Sequence, residues 1–377
     1  MQWLDRVKFG SGKNGSPAVS GTINTYAACT GTATQTSLTT TLSASAGDVI
    51  LIHQSQGTGA GQWEINAVLA DAGATLTLAY PLAYTYGTGA QCVLVPQYTG
   101  GTISGAVTGT AWNGSIGGII ALMSNGGLTV SGSITATSLG FRGGTGTDTS
   151  SQVGWQAEGH TGAASGSRSA AKNGSGGGGG DYNSGSNPHP GGGGGGGNGA
   201  SGYSSVNVGG TAKPGVGGDA TGSAQLTTSL FGGGGGKGSF RWTGGSGGNG
   251  GAGGGCIFIF SKNITVSGSI VSTGGAGGNV TYTPNTDDTL GVGGGGSGAG
   301  GSILIKTQEA ILDTNKVTAS AGTAGTGLWD NGAMNGGTGG VGRIHIDYAD
   351  TYSGTTTPAI NATQVTSLKS QVYSSMI

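Results

Sequence analysis

Four uninterrupted glycine runs, at residues 176–180, 191–197, 232–236 and 293–296, limit what this chain can fold into more than any other feature. Such a run has no side chains to bury, and fixing each glycine costs about 0.5–1 kcal/mol more than fixing an alanine. Over the 90 glycines of the chain the penalty is on the order of 45–90 kcal/mol. Two states are open. The runs can stay free as flexible linkers, or they can order in the extended three-fold conformation, which has no internal hydrogen bonds. Ordered runs must then bond sideways. Without Cβ atoms neighbouring backbones can approach closely enough to do so, and laterally packed runs are the favoured expectation. Collagen is excluded, because there are only 8 prolines and no strict Gly-X-Y period.

The remaining composition narrows the function. Charged residues make up 8% of the 377, with a formal net charge of -1. That excludes the basic footprint of a nucleic-acid binder and argues against an electrostatic membrane-surface binder. No apolar stretch is long enough for a transmembrane helix, so membrane insertion is not expected. Disordered chains normally carry high charge, and this one does not. Cys29, Cys92 and Cys256 are far apart and odd in number, which is no disulfide framework. The opening Met1–Phe9 stretch lacks a basic start and apolar core, so no secretory signal is expected. A virion component released by lysis fits that pattern, as does non-classical secretion.

Residues 1–105 have near-ordinary composition and hold short apolar runs: 49–53, 63–69, 75–78 and 91–96. Each is bounded by Gly, Asp or Pro, which is the strand signature. These runs predict a small β-sandwich or barrel used for attachment or assembly. From residue 106 a repeat takes over. Leu128–Ser138 and Ile264–Gly274 match at seven of eleven positions, and each follows a Gly-Gly entry and an apolar strand, Ile119–Leu122 and Cys256–Ile259. Looser copies open at Gly300-Gly301-Ser302-Ile303 and at Gly342-Arg343-Ile344. Such units cannot bury a face alone, and stacking them gives a continuous core. The expectation is an all-β chain with almost no helix: the β-domain, then a glycine-rich β-solenoid or polyglycine-II sandwich over 106–350, then a C-terminal tail, 351–377.

Catalytic and metal-binding patterns are missing. His53, His160, His189 and His345 have no metal-ligand spacing, and His345 in Ile-His-Ile is expected to point outward from a strand. Asp287-Asp288 reads better as a solvated turn than as a calcium loop. The chance Gly-x-Gly-x-x-Gly matches open no helix after a strand, so no nucleotide site follows. No cofactor, no metal and no enzymatic activity are expected. What remains is a set of isolated aromatics in the glycine-rich insertions: Trp155, Tyr182, Tyr203, Trp242, Tyr282 and Trp329, with Phe240 beside them. Exposed Tyr and Trp supply contact area at low entropy cost, which makes them receptor-binding candidates. The alternative is that they fold back as caps.

The alternation of glycine tracts with Ile-Phe-Ile-Phe and Ile-Thr-Val-Ser-Gly-Ser-Ile strands, ending in Gly342–Tyr348, resembles glycine-rich surface and tail-fibre-like proteins of bacteria and their phages. The runs at 176–180, 191–197 and 232–236 resemble the distal adhesins of T-even-like phage tail fibres, which pack polyglycine helices into a sandwich and display variable loops to a receptor. The likeness implies a virion or extracellular protein that recognises a host-surface glycan or protein. It also implies partner virion subunits and a homo-oligomer. The rival expectation is a self-assembling subunit of an extracellular filament or surface layer, joined through open sheet edges.

Overall fold

The computed structural model describes residues 8–147, 153–162, 167–181, 190–205, 213–240, 246–280, 291–328 and 334–369. The described residues are all-β, with one short 3-10 turn among them at Thr366–Leu368.

After β1 (Gly21–Thr22), six antiparallel strands close into a barrel: β2 (Tyr26–Thr30), β3 (Ser37–Thr40), β4 (Val49–Gln54), β5 (Trp63–Asp71), β6 (Thr75–Leu78) and β7 (Ala90–Val95), in the order β2-β3-β6-β5-β4-β7. Alternation sorts their side chains. Ile50, Ile52, Leu76, Leu78 and Cys92 fill the barrel, while Val49, Leu51, Val93 and Val95 face a neighbouring sheet. β4 and β7 are therefore almost wholly buried.

That neighbour is a curled sheet of eleven parallel strands. It joins β1 to β8 (Gln97–Tyr98), β9 (Gly101–Ile103), β10 (Ala106–Thr108), β11 (Ile119–Val130), β12 (Ser133–Thr135), β13 (Cys256–Val266), β14 (Ser269–Val271), β15 (Ser302–Thr318), β16 (Arg343–Thr357) and β17 (Asn361–Gln364). The sequence repeat is its register. Ile120 pairs with Ile257, Ile257 with Ile303 and Ile303 with Ile344; Leu128 pairs with Ile264 and Ser133 with Ser269. Stacked like on like, these residues form one continuous inner core. The opposite face of β11 and β13 presents Ala121, Met123, Phe258 and Phe260 to the barrel.

Described residues between the later strands form a bundle of extended glycine-rich tracts beside the sheet. Outbound tracts run from the strands and returning tracts run back into them: 246–254 leads into β13, 291–300 into β15 and 334–342 into β16. Hydrogen bonds between tracts recur every third residue. Gly193 and Gly196 donate to Gly294 O and Ser297 O, and Gly194 and Gly197 donate to Gly178 O and Ser175 O. Gly236 and Gly233 donate to Gly194 O and Gly197 O, and Gly337 and Gly340 donate to Gly193 O and Gly196 O. With Gly218 donating to Gly195 O and Gly195 to Tyr203 O, the 191–197 tract is bonded to six neighbours. A Cβ placed on Gly196 or Gly233 would lie closer than 3.0 Å to a backbone carbonyl, so only glycine fits.

Tracts at the edge of the bundle follow a different rule. Ser246, Asn249 and Ala252; Thr273, Ala276 and Asn279; and Asn335, Thr338 and Val341 recur every third residue with glycine pairs between them, and all are exposed or half-buried. The residues of 191–197 and 232–238 are all buried. The three-fold backbone points each third position the same way, so an edge tract can carry side chains on its solvent side alone.

Candidate functional site

The bundle has two distinct ends. One joins the parallel sheet. At the other, the described residues flanking 182–189, 206–212, 241–245, 281–290 and 329–333 are joined to one another. Asp181 accepts from Gly191 and donates to Lys213 O; Ser239 donates to Gly191 O and accepts from Gly293; Val292 and Leu328 exchange hydrogen bonds; and Gly294 donates to Met334 O. Phe240 bridges to Val292 and is buried against it and Val280. Residues flanking 148–152 lie there too, since Gly154 donates to Gly180 O. Arg168 ties Thr147 O to Val153 O. Six insertions of the sequence thus start and finish at one tip.

The sequence-derived candidates divide accordingly. Tyr182, Trp242, Tyr282 and Trp329 belong to those insertions and lie outside the described residues. Tyr203 stands on the outbound tract 200–205 with 69% of its surface exposed. Trp155 is half-buried, covered by the Arg168 guanidinium 4.5 Å from its ring centroid, and its indole N–H has no hydrogen-bond partner. The two are not brought together. The hydrogen-bond path between them runs from Ala157 to Gly177, from Gly178 to Gly194 and from Gly195 to Tyr203, crossing two tracts.

Three polar groupings escape a reading of the sequence. Glu158, fully buried, accepts from Arg142 through its backbone N–H and through both Nε and Nη2 of the guanidinium. Lys237, buried inside a glycine tract, donates to Ser246 Oγ and Asn249 Oδ1. The third corrects an expectation: His345 does not point to solvent but is 1% exposed. Its ring lies 2.9 Å from Asp347 Oδ1 and 2.7 Å from Asn361 Oδ1 of β17, and Lys306 Nζ reaches Asp347 Oδ2 at 2.7 Å. Burial opposes the charge on Asp347, but the His345 hydrogen bond and the Lys306 ammonium outweigh it and hold the carboxyl below its ordinary range. The repeat alignment carried the signal, because Ile303-Leu304-Ile305-Lys306 over Ile344-His345-Ile346-Asp347 sets Lys306 beside Asp347.

Among the described residues no three His, Cys, Asp or Glu side chains gather as a metal site. Comparison with protein-family models, curated proteins and solved structures finds no match.

Proposed function

We propose that this chain is a receptor-binding adhesin of a phage tail fibre, recognising a host-surface glycan or protein without enzymatic chemistry. In this reading the curled sheet is a β-solenoid, and the glycine tracts are polyglycine-II helices packed as a sandwich. The three-residue period of lateral hydrogen bonds supports that assignment. The observation that carries the function is the gathering of six insertions at one end of the bundle. A scaffold without side chains can be specified by backbone bonding alone, which leaves the insertions free to vary in sequence. The aromatics Tyr182, Trp242, Tyr282 and Trp329 in those insertions, with the exposed Tyr203 on the tract that leads to 206–212, are the contact residues in this reading.

The sheet's first edge favours an adhesin over a filament subunit. The first edge is covered by the chain itself: Asn14 donates to Gln97 O, Gly15 accepts from Thr99 and Val19 accepts from Gly105. A covered edge cannot accept the next subunit. The test is binding of the labelled full chain to a panel of bacterial surfaces and a glycan array. Retention on one surface type, lost in Trp242→Ala and Tyr182→Ala, is the expected result. Long uniform fibres in a concentration series under the electron microscope, with no surface retention, would replace the adhesin with the filament.

A further inference from the structure

We propose that His53 is a proton-operated latch between the barrel and the 220–231 connection that packs on the parallel sheet. Neutral, it fastens the two together; protonated, it weakens that hold. Apart from the small Phe240 cluster, the described residues hold three apolar clusters. One fills the curled sheet, one fills the barrel, and the third lies between them. His53 sits at that third cluster, at the end of β4, with no exposed surface. Its Nε2 is 2.9 Å from Ser229 O, on the connection between tracts 213–219 and 232–240. A carbonyl only accepts, so Nε2 carries the ring proton and Nδ1 is left to accept from the Ser55 hydroxyl, 2.9 Å away. The Ser55 oxygen in turn accepts from Gln91 Nε2 at 2.8 Å. The Gln91 amide is itself pinned to both the N–H and the carbonyl of Gly117. Every donor in this run has one orientation.

A second ring proton turns Nδ1 from acceptor to donor, so the Ser55 hydroxyl, whose oxygen already accepts from Gln91, has to swing its own proton away from the acceptor it had. Among the described residues no charged group acts on the ring. From β4 the ring faces Ser55, and from β7 it faces Gln91 through Ser55. From the 220–231 connection it faces Ser229 and Phe231, whose ring is stacked at 5.6 Å; from β13 it faces Phe258, edge-on at 6.4 Å. Cys256, next to Ser229, is a titratable neighbour, and burial pushes its thiol up to about 12, so it stays neutral. Burial pushes His53 down to about 4 from its ordinary 6.5. A ring that resists protonation in the docked state and accepts it once released makes docking complete above about pH 6.5 and progressively weaker toward about pH 4. Barrel and sheet each keep their own core, so release does not require either to unfold.

Trp63 reports the junction, because its Nε1–H donates to Leu226 O at 2.8 Å and its ring lies 4.9 Å from Phe258. Tryptophan fluorescence of the full chain is followed from about pH 7 to about pH 4, alongside far-ultraviolet circular dichroism. The expected result is a reversible fluorescence step with unchanged dichroism, absent from Trp63→Phe and absent from His53→Gln, whose amide takes up no proton. A step that persists at the same pH in His53→Gln, or a wild-type signal that changes only when the dichroism collapses, overturns the latch. Should His53→Gln fail to fold, the ring resonances of His53 in the wild-type chain decide. Titration with its ordinary midpoint while the barrel stays docked overturns the proposal, and a ring that stays neutral until the step supports it.

Discussion

The parallel sheet and the glycine bundle are built from the same chain passes but held together by opposite means. In the sheet, Ile120, Ile257, Ile303 and Ile344 stack in register, and the apolar surface they remove from water drives assembly. In the bundle, the tract 191–197 has no side chain to remove from water, yet all its residues are buried. Its order comes from hydrogen bonds to six neighbours, and those bonds require the close approach that only glycine permits. Each hydrogen bond contributes about 0.5–1.5 kcal/mol net, so the bundle is stable only because every tract bonds on several sides. A sheet can lose one contact and relax around it. A bundle that must admit one Cβ has to push a whole backbone away.

The sharpest way to break the comparison is to place that Cβ. Gly196→Ala and Gly233→Ala each insert a methyl against a backbone carbonyl from a neighbouring tract. Neither position has a flexible side chain that can swing aside. We expect losses at or beyond the upper end of ordinary overpacking, about 3 kcal/mol or more, read as a lowered urea midpoint. A loss below about 1 kcal/mol would mean that the tracts separate easily, and the account of the bundle would fail.

The matching test of the sheet removes side-chain volume. Ile259 stacks between Leu122 and Ile305 in the inner core and is fully buried. Ile259→Ala is expected to cost about 2–5 kcal/mol through lost transfer energy and a cavity. Ile259→Val is expected to cost about 0.5–1.5 kcal/mol. This graded response to size distinguishes the sheet from the bundle, where the first added carbon does the damage.

The Lys306–Asp347–His345 cluster sharpens the comparison at the sheet's last strands. The apolar row Ala121, Phe258 and Leu304 ends in His345, and Met123 and Phe260 lead to Lys306 and Asp347, so polar pairing replaces burial there. Because the folded carboxyl of Asp347 is held below its ordinary value, its contribution is present above the unfolded pKa and is lost as pH falls through the folded one. Asp347→Asn is therefore expected to lower stability at neutral pH by about 1.5–3 kcal/mol, the worth of hydrogen bonds to a charged group. The gap to wild type should close in acid. Parallel pH profiles for the two proteins would show that the charge does not act there.

Much of this was legible in the sequence. The runs at 49–53, 63–69, 75–78 and 91–96 became β4 to β7, and the repeat alignment became the register of β11, β13, β15 and β16. What was missed lay in the spacing of the residues that interrupt the glycines. Asn335, Thr338 and Val341 mark an edge tract by their period of three, while unbroken 191–197 marks a central one. The outward expectation for His345 failed because strand alternation cannot reveal that Asp347 and Asn361 close on the ring on that face. Of the two courses open to the aromatics, Phe240 takes the second and folds back, buried against Val280 and Val292. The surface of a glycine tract is shallow, and a ring laid across it is covered by whatever side chains the adjoining tracts supply.

The smallest expected effect comes from the edge positions, and it is the control that gives the largest one its meaning. Thr338 and Gly339 are consecutive in one tract, but Thr338 is exposed while Gly339 is buried. A Cβ on Gly339 would lie closer than 3.0 Å to Gly298 O. Thr338→Ala keeps the Cβ that the backbone already tolerates and removes only solvated atoms, so its cost is expected to stay within about 0.5 kcal/mol. Gly339→Ala adds a single carbon one residue further on and is expected to approach the loss of the central variants. Equal midpoints for the two would mean that position within the three-residue period does not decide which side chains the bundle accepts. Unequal ones, in the stated order, would tie stability to the direction in which each Cβ points.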